Sequence, residues 1–191
     1  MAKKLESTLL NMFLSLVLIS MVMSSALGFV YIKTKGPIEQ ASRQKEINAI
    51  RQVVPEFDND PSAAKTEKDG VIIYRLSNLG KPVGYAVKSF TEKGFGGLVE
   101  IMAGFLPDGS IYNVTVLQHK ETPGLGTKMN DPKFGGQFLG KNPDAFKLLV
   151  KKDGGSVDAI TAATVSSRAY CDALQRAFTT MKLVNDSLSV K

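Results

Sequence analysis

Two short stretches of this sequence carry residue types that could do chemistry. The first is Asp158-Ala159-Ile160-Thr161-Ala162-Ala163-Thr164-Val165-Ser166-Ser167, a dense group of hydroxyl and small side chains where an apolar-striped helix must begin. A helix N-terminus presents backbone N–H groups without intrahelical acceptors and a positive partial charge, which suits a phosphate group. Small side chains at Ala162 and Ala163 would let that phosphate approach the main chain closely. The same hydroxyls equally fit an ordinary Thr/Ser helix cap, and physics alone leaves both uses open. The second stretch is His119-Lys120-Glu121-Thr122-Pro123-Gly124-Leu125-Gly126. Its Glu and Thr can hydrogen-bond a ligand edge, and its glycines let main chain lie beside a planar ring. A glycine-rich turn with a solvated glutamate is the plainer use.

The rest of the composition narrows the chemistry by exclusion. Cys171 is the single cysteine and His119 the single histidine of 191 residues. An internal disulfide, an iron–sulfur or zinc site built by this chain alone, and a histidine-rich metal centre are therefore excluded. Any redox chemistry must come from a bound cofactor. The formal charge is +6, but the lysines and arginines are interleaved with acids and form no basic run or RNA-reading motif, so the pattern is not that of a nucleic-acid binder.

The elements that must position these stretches can be read along the chain. From Leu9 to Ile32 no residue is charged, and at about 1.5 Å of rise per residue the run is long enough to cross a hydrocarbon core of roughly 30 Å. A cleaved signal peptide ending near Ser24-Ser25-Ala26 is the rival, but the apolar run continues past it through Leu27, Phe29, Val30 and Ile32. Lys3 and Lys4 before the run and Lys33 and Lys35 after it barely decide orientation. After Gly36-Pro37, apolar residues at helical intervals from Ile38 to Val54 predict an amphipathic linking helix that ends before Pro55. Asp58 to Gly70 reads as a polar loop. Four strands, Val71 to Leu76, Val83 to Phe90, Leu98 to Phe105 and Ile111 to Gln118, are separated by turn signals and predict two hairpins of a mostly antiparallel sheet. Glu121 to Lys141 is too rich in glycine and proline for a regular element, and Asp144 to Val150 predicts a short helix. The last helix carries the apolar stripe Val165, Ala169, Ala173, Leu174, Ala177, Phe178, Met181 and Val184, assigned to core packing. Cys171, on that helix, is assigned to the core as well. The expected class is α+β: a single N-terminal transmembrane helix, then one domain with an antiparallel sheet and packed helices. The expected boundaries are 1–8 as a short tail, 9–32 as anchor, 33–55 as linker helix and 56–191 as the globular domain.

The order of residues adds a resemblance. Asp158-x-x-Thr161-Ala162-Ala163-Thr164 resembles the flavinylation motif Asp-x-x-(Ser/Thr)-Gly-Ala-Thr of the FMN-binding domain family. Members of that family receive FMN from FAD through a dedicated flavin transferase, and the acceptor is the last threonine, so the resemblance implies covalent FMN on Thr164. The chain departs from the motif at Ala162, where the family usually has glycine. Glu121-Thr122-Pro123-Gly124-Leu125-Gly126 resembles the family's loop beside the flavin, and Gly94-Phe95-Gly96-Gly97 resembles its Gly-aromatic-Gly-Gly turn. By this resemblance Thr161, Ala162 and Ala163 are the phosphate-side contacts, and Glu121, Thr122, Gly124 and Leu125 form the ring-side loop. Asp158 would serve recognition by the transferase or fix the turn. Electron transfer alone requires no catalytic acid, base or nucleophile.

Length and anchor are most similar to the G subunits of Rnf-type ion-translocating complexes; the homologous C subunits of sodium-pumping NADH:quinone reductases are typically longer. This resemblance implies an electron-transfer subunit of a membrane-bound ferredoxin:NAD oxidoreductase that moves Na⁺ or H⁺. It also implies an FMN domain on the extracytoplasmic face of the cytoplasmic (inner) membrane. The implied partners are the membrane, the membrane-embedded and peripheral subunits of such a complex, and the flavin transferase during maturation. A stand-alone anchored flavoprotein carrier shares every local motif. A pilin-like structural protein is disfavoured, because no acidic residue lies between Leu9 and Ile32.

Overall fold

The computed structural model of the chain describes residues 8–189. Residues 1–7, which include Lys3, Lys4 and almost all of the expected tail, lie outside the described residues. The described residues form two compact units that divide between Gln44 and Lys45. In the first, α1 (Leu9–Val53) begins in the apolar segment and passes through Pro37 without a break. A separate linking helix was expected after Gly36-Pro37. Proline removes one helix N–H donor, but Glu39, Gln40, Ala41, Arg43 and Gln44 favour helix on its C-terminal side. The apolar part of α1 is unburied along its length, and by length and composition it can cross a membrane.

The second unit is built on a five-stranded antiparallel meander, β1 (Lys65–Lys68), β2 (Val71–Asn78), β3 (Lys81–Gly94), β4 (Gly97–Phe105) and β5 (Ile111–His119), in that spatial order. The α+β class expected from the sequence is the one observed. The polar stretch expected to be a loop contains β1, which pairs Lys65 with Tyr74 and Lys68 with Val71. As an edge strand it carries Lys65, Glu67 and Lys68, and an edge so charged gives no apolar alternation to detect.

Alternation assigns the two faces of the sheet. Val71, Ile73, Val87, Val99, Ile101, Ala103, Phe105 and Ile111 point to one side, where they meet Ala169, Ala173, Leu174, Ala177 and Phe178 of α3 (Thr164–Ser189). Tyr74, Leu76, Ala86, Met102 and Leu117 point to the other, where they meet Ala49, Ile50 and Val53 at the end of α1. That last contact is intimate: a Cβ on Gly104 would lie 1.5 Å from the Val53 carbonyl oxygen, so only glycine fits opposite the helix end. Glu46 adds a polar tie to the same face. It accepts from the Tyr74 hydroxyl and stands 3.7 Å from Lys88 Nζ, and burial with this partner pushes the Tyr74 phenol upward.

The stretch after β5 is irregular, as its glycines require, yet it contributes to the core. A 3₁₀ turn (Gly126–Asn130), the short α2 (Pro132–Gly135) and a second 3₁₀ turn (Gly136–Phe138) insert Met129, Phe134 and Phe138 beside Tyr170. Phe134 and Phe138 each lie 5.1 Å from the Tyr170 ring. The helix expected over Asp144 to Val150 does not form. Asn142 captures the Asp144, Ala145 and Phe146 N–H groups in a single turn. The chain then extends so that Lys147 and Leu149 carbonyls accept from Ser156 and Val157, which buries Leu148 and Val150 and leaves Leu149 outside.

Candidate functional site

The start of α3 is fixed by one buried side chain. The Ser167 hydroxyl donates to the Ala163 carbonyl at 3.0 Å and accepts from the Ile160 N–H at 2.9 Å. The Ser167 N–H reaches the same Ala163 carbonyl at 3.0 Å, which makes it the first hydrogen bond of the helix. Between these points the chain turns sharply, with Ala163 N–H bonded to Ile160 O and Ala162 at φ 61°. That is the left-handed region, where glycine is at ease and alanine is not. Thr164, Val165 and Ser166 consequently carry N–H groups with no acceptor inside the helix, and no acidic side chain occupies this first turn.

A cavity of about 360 Å³ opens at this helix end, lined by Phe95, Glu121, Thr122, Leu125, Gly126 and residues 162–166. The two chemistry-bearing stretches, some forty positions apart, are thus walls of one cavity. Their junction is Glu121, only 6% exposed. One carboxyl oxygen accepts from the Ser166 hydroxyl at 2.6 Å, and the other accepts from the Gly96 N–H at 3.2 Å. Glu121 therefore clamps the β3–β4 turn and the first turn of α3 to its own loop. The glycines around it leave no alternative. A Cβ on Gly126 would lie 2.6 Å from both Glu121 Oε2 and Ser166 Oγ, and one on Gly94 would lie 2.5 Å from Glu121 Oε1. His119 shapes the entry to the loop, its Nδ1 accepting from Glu121 N–H at 3.2 Å and its Nε2 lying 3.3 Å from the Asn130 amide.

The other residues singled out from sequence divide between inside and outside. Thr164 is half-buried at the cavity wall, and Thr122, Leu125, Ala162 and Ala163 line it too. Gly124 is exposed on the turn at φ 75°, its N–H bonded to Thr127 Oγ1 at 2.9 Å, and is not part of the lining. Thr161 and Asp158 open instead onto a neighbouring depression shared with Lys128, Lys133 and Gln137. There Asp158 pairs with Lys151 at 2.8 Å, and its backbone N–H and carbonyl bind the two ends of the Gln137 amide.

Sequence reasoning gave no site role to four lining residues, Phe95, Gly126, Val165 and Ser166. Val165, counted in the core stripe of α3, is 41% exposed on the cavity wall, because Ser166 and Ser167 take the buried side of the first turn. Phe95, noted only as part of a turn, is 74% exposed and forms the far lip. An aromatic residue flanked by three glycines was the signal available for it.

Behind the cavity, α3 is held by charge and burial. Arg168 forms a bidentate pair with Asp153, both bonds 2.7 Å, and this hydrogen bonding holds the Asp153 carboxyl below the usual carboxylate range. Cys171 lies in the core as expected, and burial pushes its thiol up to about 12.

Comparison with known proteins places this geometry. Residues 94–179 match the FMN-binding domain family, a span running from the β3–β4 turn into α3 that includes every lining residue of the cavity. The G subunit of the ion-translocating oxidoreductase complex of Shewanella baltica is 33% identical over 178 residues, covering 85% of this chain and 84% of the relative. The corresponding G subunit of Methanosarcina acetivorans is 37% identical over 172 residues, covering 85% and 89%. The chain belongs to the G-subunit family of ion-translocating oxidoreductase complexes. A crystal structure of the C subunit of the Na⁺-translocating NADH-quinone reductase from Parabacteroides distasonis covers 66% of this chain and 75% of its own, at 21% identity and a TM-score of 0.45. As a member of the G-subunit family, the chain joins an FMN-binding domain to one long apolar helix, and the cavity at α3 is its candidate flavin site.

Proposed function

We infer that this chain is the FMN-bearing electron-transfer subunit of a membrane-bound ferredoxin:NAD oxidoreductase complex that moves Na⁺ or H⁺, with its flavin joined by a phosphoester to Thr164. The observation that carries this reading is the cavity itself, which brings the Thr164 hydroxyl and the free N–H groups of α3 together with the Glu121-Thr122 loop. The residues present fit the group. The helix N-terminus and the small side chains of Ala162 and Ala163 suit a phosphate, and about 360 Å³ lies within the usual size of a small-molecule site.

In maturation, the Thr164 oxygen would bond to the FMN-side phosphorus of FAD as the pyrophosphate P–O bond breaks. AMP leaves, and the hydroxyl proton passes to a base of the transferase. Bound FMN supplies the redox chemistry, accepting and releasing electrons at its isoalloxazine ring. This chain's own residues would do the rest. Thr164 removes dissociation, the α3 N–H groups offset phosphate charge, Thr122 and Leu125 border the ring, and Glu121 holds the walls in register. Thr161 and Gly124, outside the lining, would act through the turns they sit in, and Asp158, exposed beside Lys151, is free to meet the transferase. α1 would anchor the domain on the extracytoplasmic face of the membrane beside the other subunits. A tether makes sense there, since a flavin lost outside the cytoplasm is diluted away.

The test is intact mass and in-gel flavin fluorescence of the full chain co-expressed with a flavin transferase, alongside Thr164→Val. A fluorescent band that survives denaturation, with the added mass of one FMN less water and absent from the variant, is expected. An unmodified wild-type chain, made beside a transferase active on a control substrate, would overturn the covalent reading. Co-purification with polytopic membrane subunits is expected for the complex, and a chain always isolated alone would refute it.

A further inference from the structure

The lip of the cavity is apolar and bare. Phe95, Leu125 and Val165 are 74%, 41% and 41% exposed, and all three line the cavity that contains Thr164. Phe95 sits at the tip of the β3–β4 hairpin, where Gly94 pairs with Gly97 and Gly97 turns the chain at φ 94°. That tip is held close to the site wall. The Gly96 N–H is bonded to Glu121 at 3.2 Å, and a Cβ on Gly96 would lie 1.8 Å from the Lys120 carbonyl oxygen. A large ring is therefore held in the open, on a backbone fastened to the ligand site, in a turn whose other three residues have no side chain. An exposed aromatic in such a place has a flat apolar face available for another flat apolar face.

We propose that the Phe95 ring packs over one face of the isoalloxazine ring of FMN, shielding it from water. The proposal rests on the FMN reading above and assigns the ring-covering contact to the hairpin tip, a third segment beyond the two sequence stretches. Leu125 and Val165 then flank the ring at its edges. Phe95 acts here as a cofactor-contacting residue, and its contribution is local: excluding solvent and restricting the ring's tilt about the tether.

Excited flavin is quenched by electron transfer from tryptophan or tyrosine only near van der Waals contact, so fluorescence reads the contact directly. The full chain is co-expressed with a flavin transferase and purified in detergent as wild type, Phe95→Trp, Phe95→Tyr and Phe95→Ala. The control is Leu79→Trp, on the exposed β2–β3 turn at the opposite end of the 14-residue β3. Intact mass first establishes that each chain carries one FMN, and circular dichroism that each is folded. Flavin emission in Phe95→Trp and Phe95→Tyr is expected to fall several-fold relative to wild type, because stacked rings lie within the contact range at which this quenching operates. Leu79→Trp is expected to match wild type, and Phe95→Ala to become more sensitive to iodide quenching. Flavinylated, folded Phe95→Trp and Phe95→Tyr with wild-type emission would overturn the proposal and leave Phe95 for a protein partner. Absence of the mass adduct from wild type would instead refute the Thr164 reading, so the two failures are distinguishable.

Discussion

Replacing Ala162 by glycine should stabilise the protein, although it removes an atom and adds no contact. Ala162 is exposed and holds φ 61° where the chain turns into α3. A non-glycine residue in the left-handed region costs roughly 1–2 kcal/mol relative to the right-handed one. Glycine is freer in the unfolded chain, which takes back about 0.4–1 kcal/mol. The difference spans roughly 0–1.6 kcal/mol and centres on a net gain of about 0.8 kcal/mol. At roughly 2–4 °C per kcal/mol for a chain of this size, the thermal midpoint rises by about 1–4 °C. Ala162→Val should move the other way by about 1 kcal/mol or more, since a β-branched side chain tolerates positive φ least. The assay is urea unfolding of the full chain in detergent, followed by circular dichroism, with the slope checked to be common to all three proteins. A glycine variant that is less stable than wild type at unchanged slope would refute the left-handed turn, and with it the stated geometry of the Thr164 approach.

Other perturbations probe the clamp, the core and the charges around the site. Ser166→Ala removes the hydroxyl that reaches Glu121 Oε2 at 2.6 Å and leaves a buried carboxyl oxygen without its donor. A loss of about 1–3 kcal/mol is expected in the same urea assay, and an unchanged midpoint would contradict the clamp. Cys171, its thiol raised to about 12 by burial, should resist a disulfide reagent at pH 8 in native buffer and react only as urea unfolds the chain; fast native reaction would contradict its placement. Burial raises the Asp172 carboxyl, but hydrogen bonds from Lys93 at 2.6 Å and Thr91 at 2.7 Å outweigh it, so the folded value lies below the unfolded one. Its stabilisation is present above the unfolded value of about 3.9 and is lost as pH falls through the folded one. Asp172→Asn should therefore flatten the fall in stability between neutral and acid pH, and a variant with the wild-type pH profile would refute this.

What was legible in the sequence, and what was not, divides along contact range. The strands from Val71 to Gln118 and the stripe of α3 announce themselves because alternation and helical periodicity are local consequences of burial on one face. Strand β1 is hidden because an edge strand carries charge, and Asp144 to Val150 misleads because Asn142 diverts one helical turn into a bend. Val165 breaks the stripe for a reason no periodicity encodes: Ser166 and Ser167 occupy the buried side of the first turn, held by bonds to Glu121 and the Ala163 carbonyl.

The motifs themselves were readable as words but not as a sentence. Gly94, Gly96 and Gly126 read as turn formers, yet the structure gives Gly94 and Gly126 one common reason to lack a side chain. A Cβ at either would strike the Glu121 carboxyl, and one at Gly96 would strike the adjoining Lys120 carbonyl. Ser166, inside a run of hydroxyls that reads as helix capping, reaches the same carboxyl from 45 positions away. Three stretches that look independent are thus one packing requirement around a single buried side chain. The residue identities at all three follow from its need for two donors and from the room it leaves, and the cavity beside Thr164 is the space that arrangement keeps open.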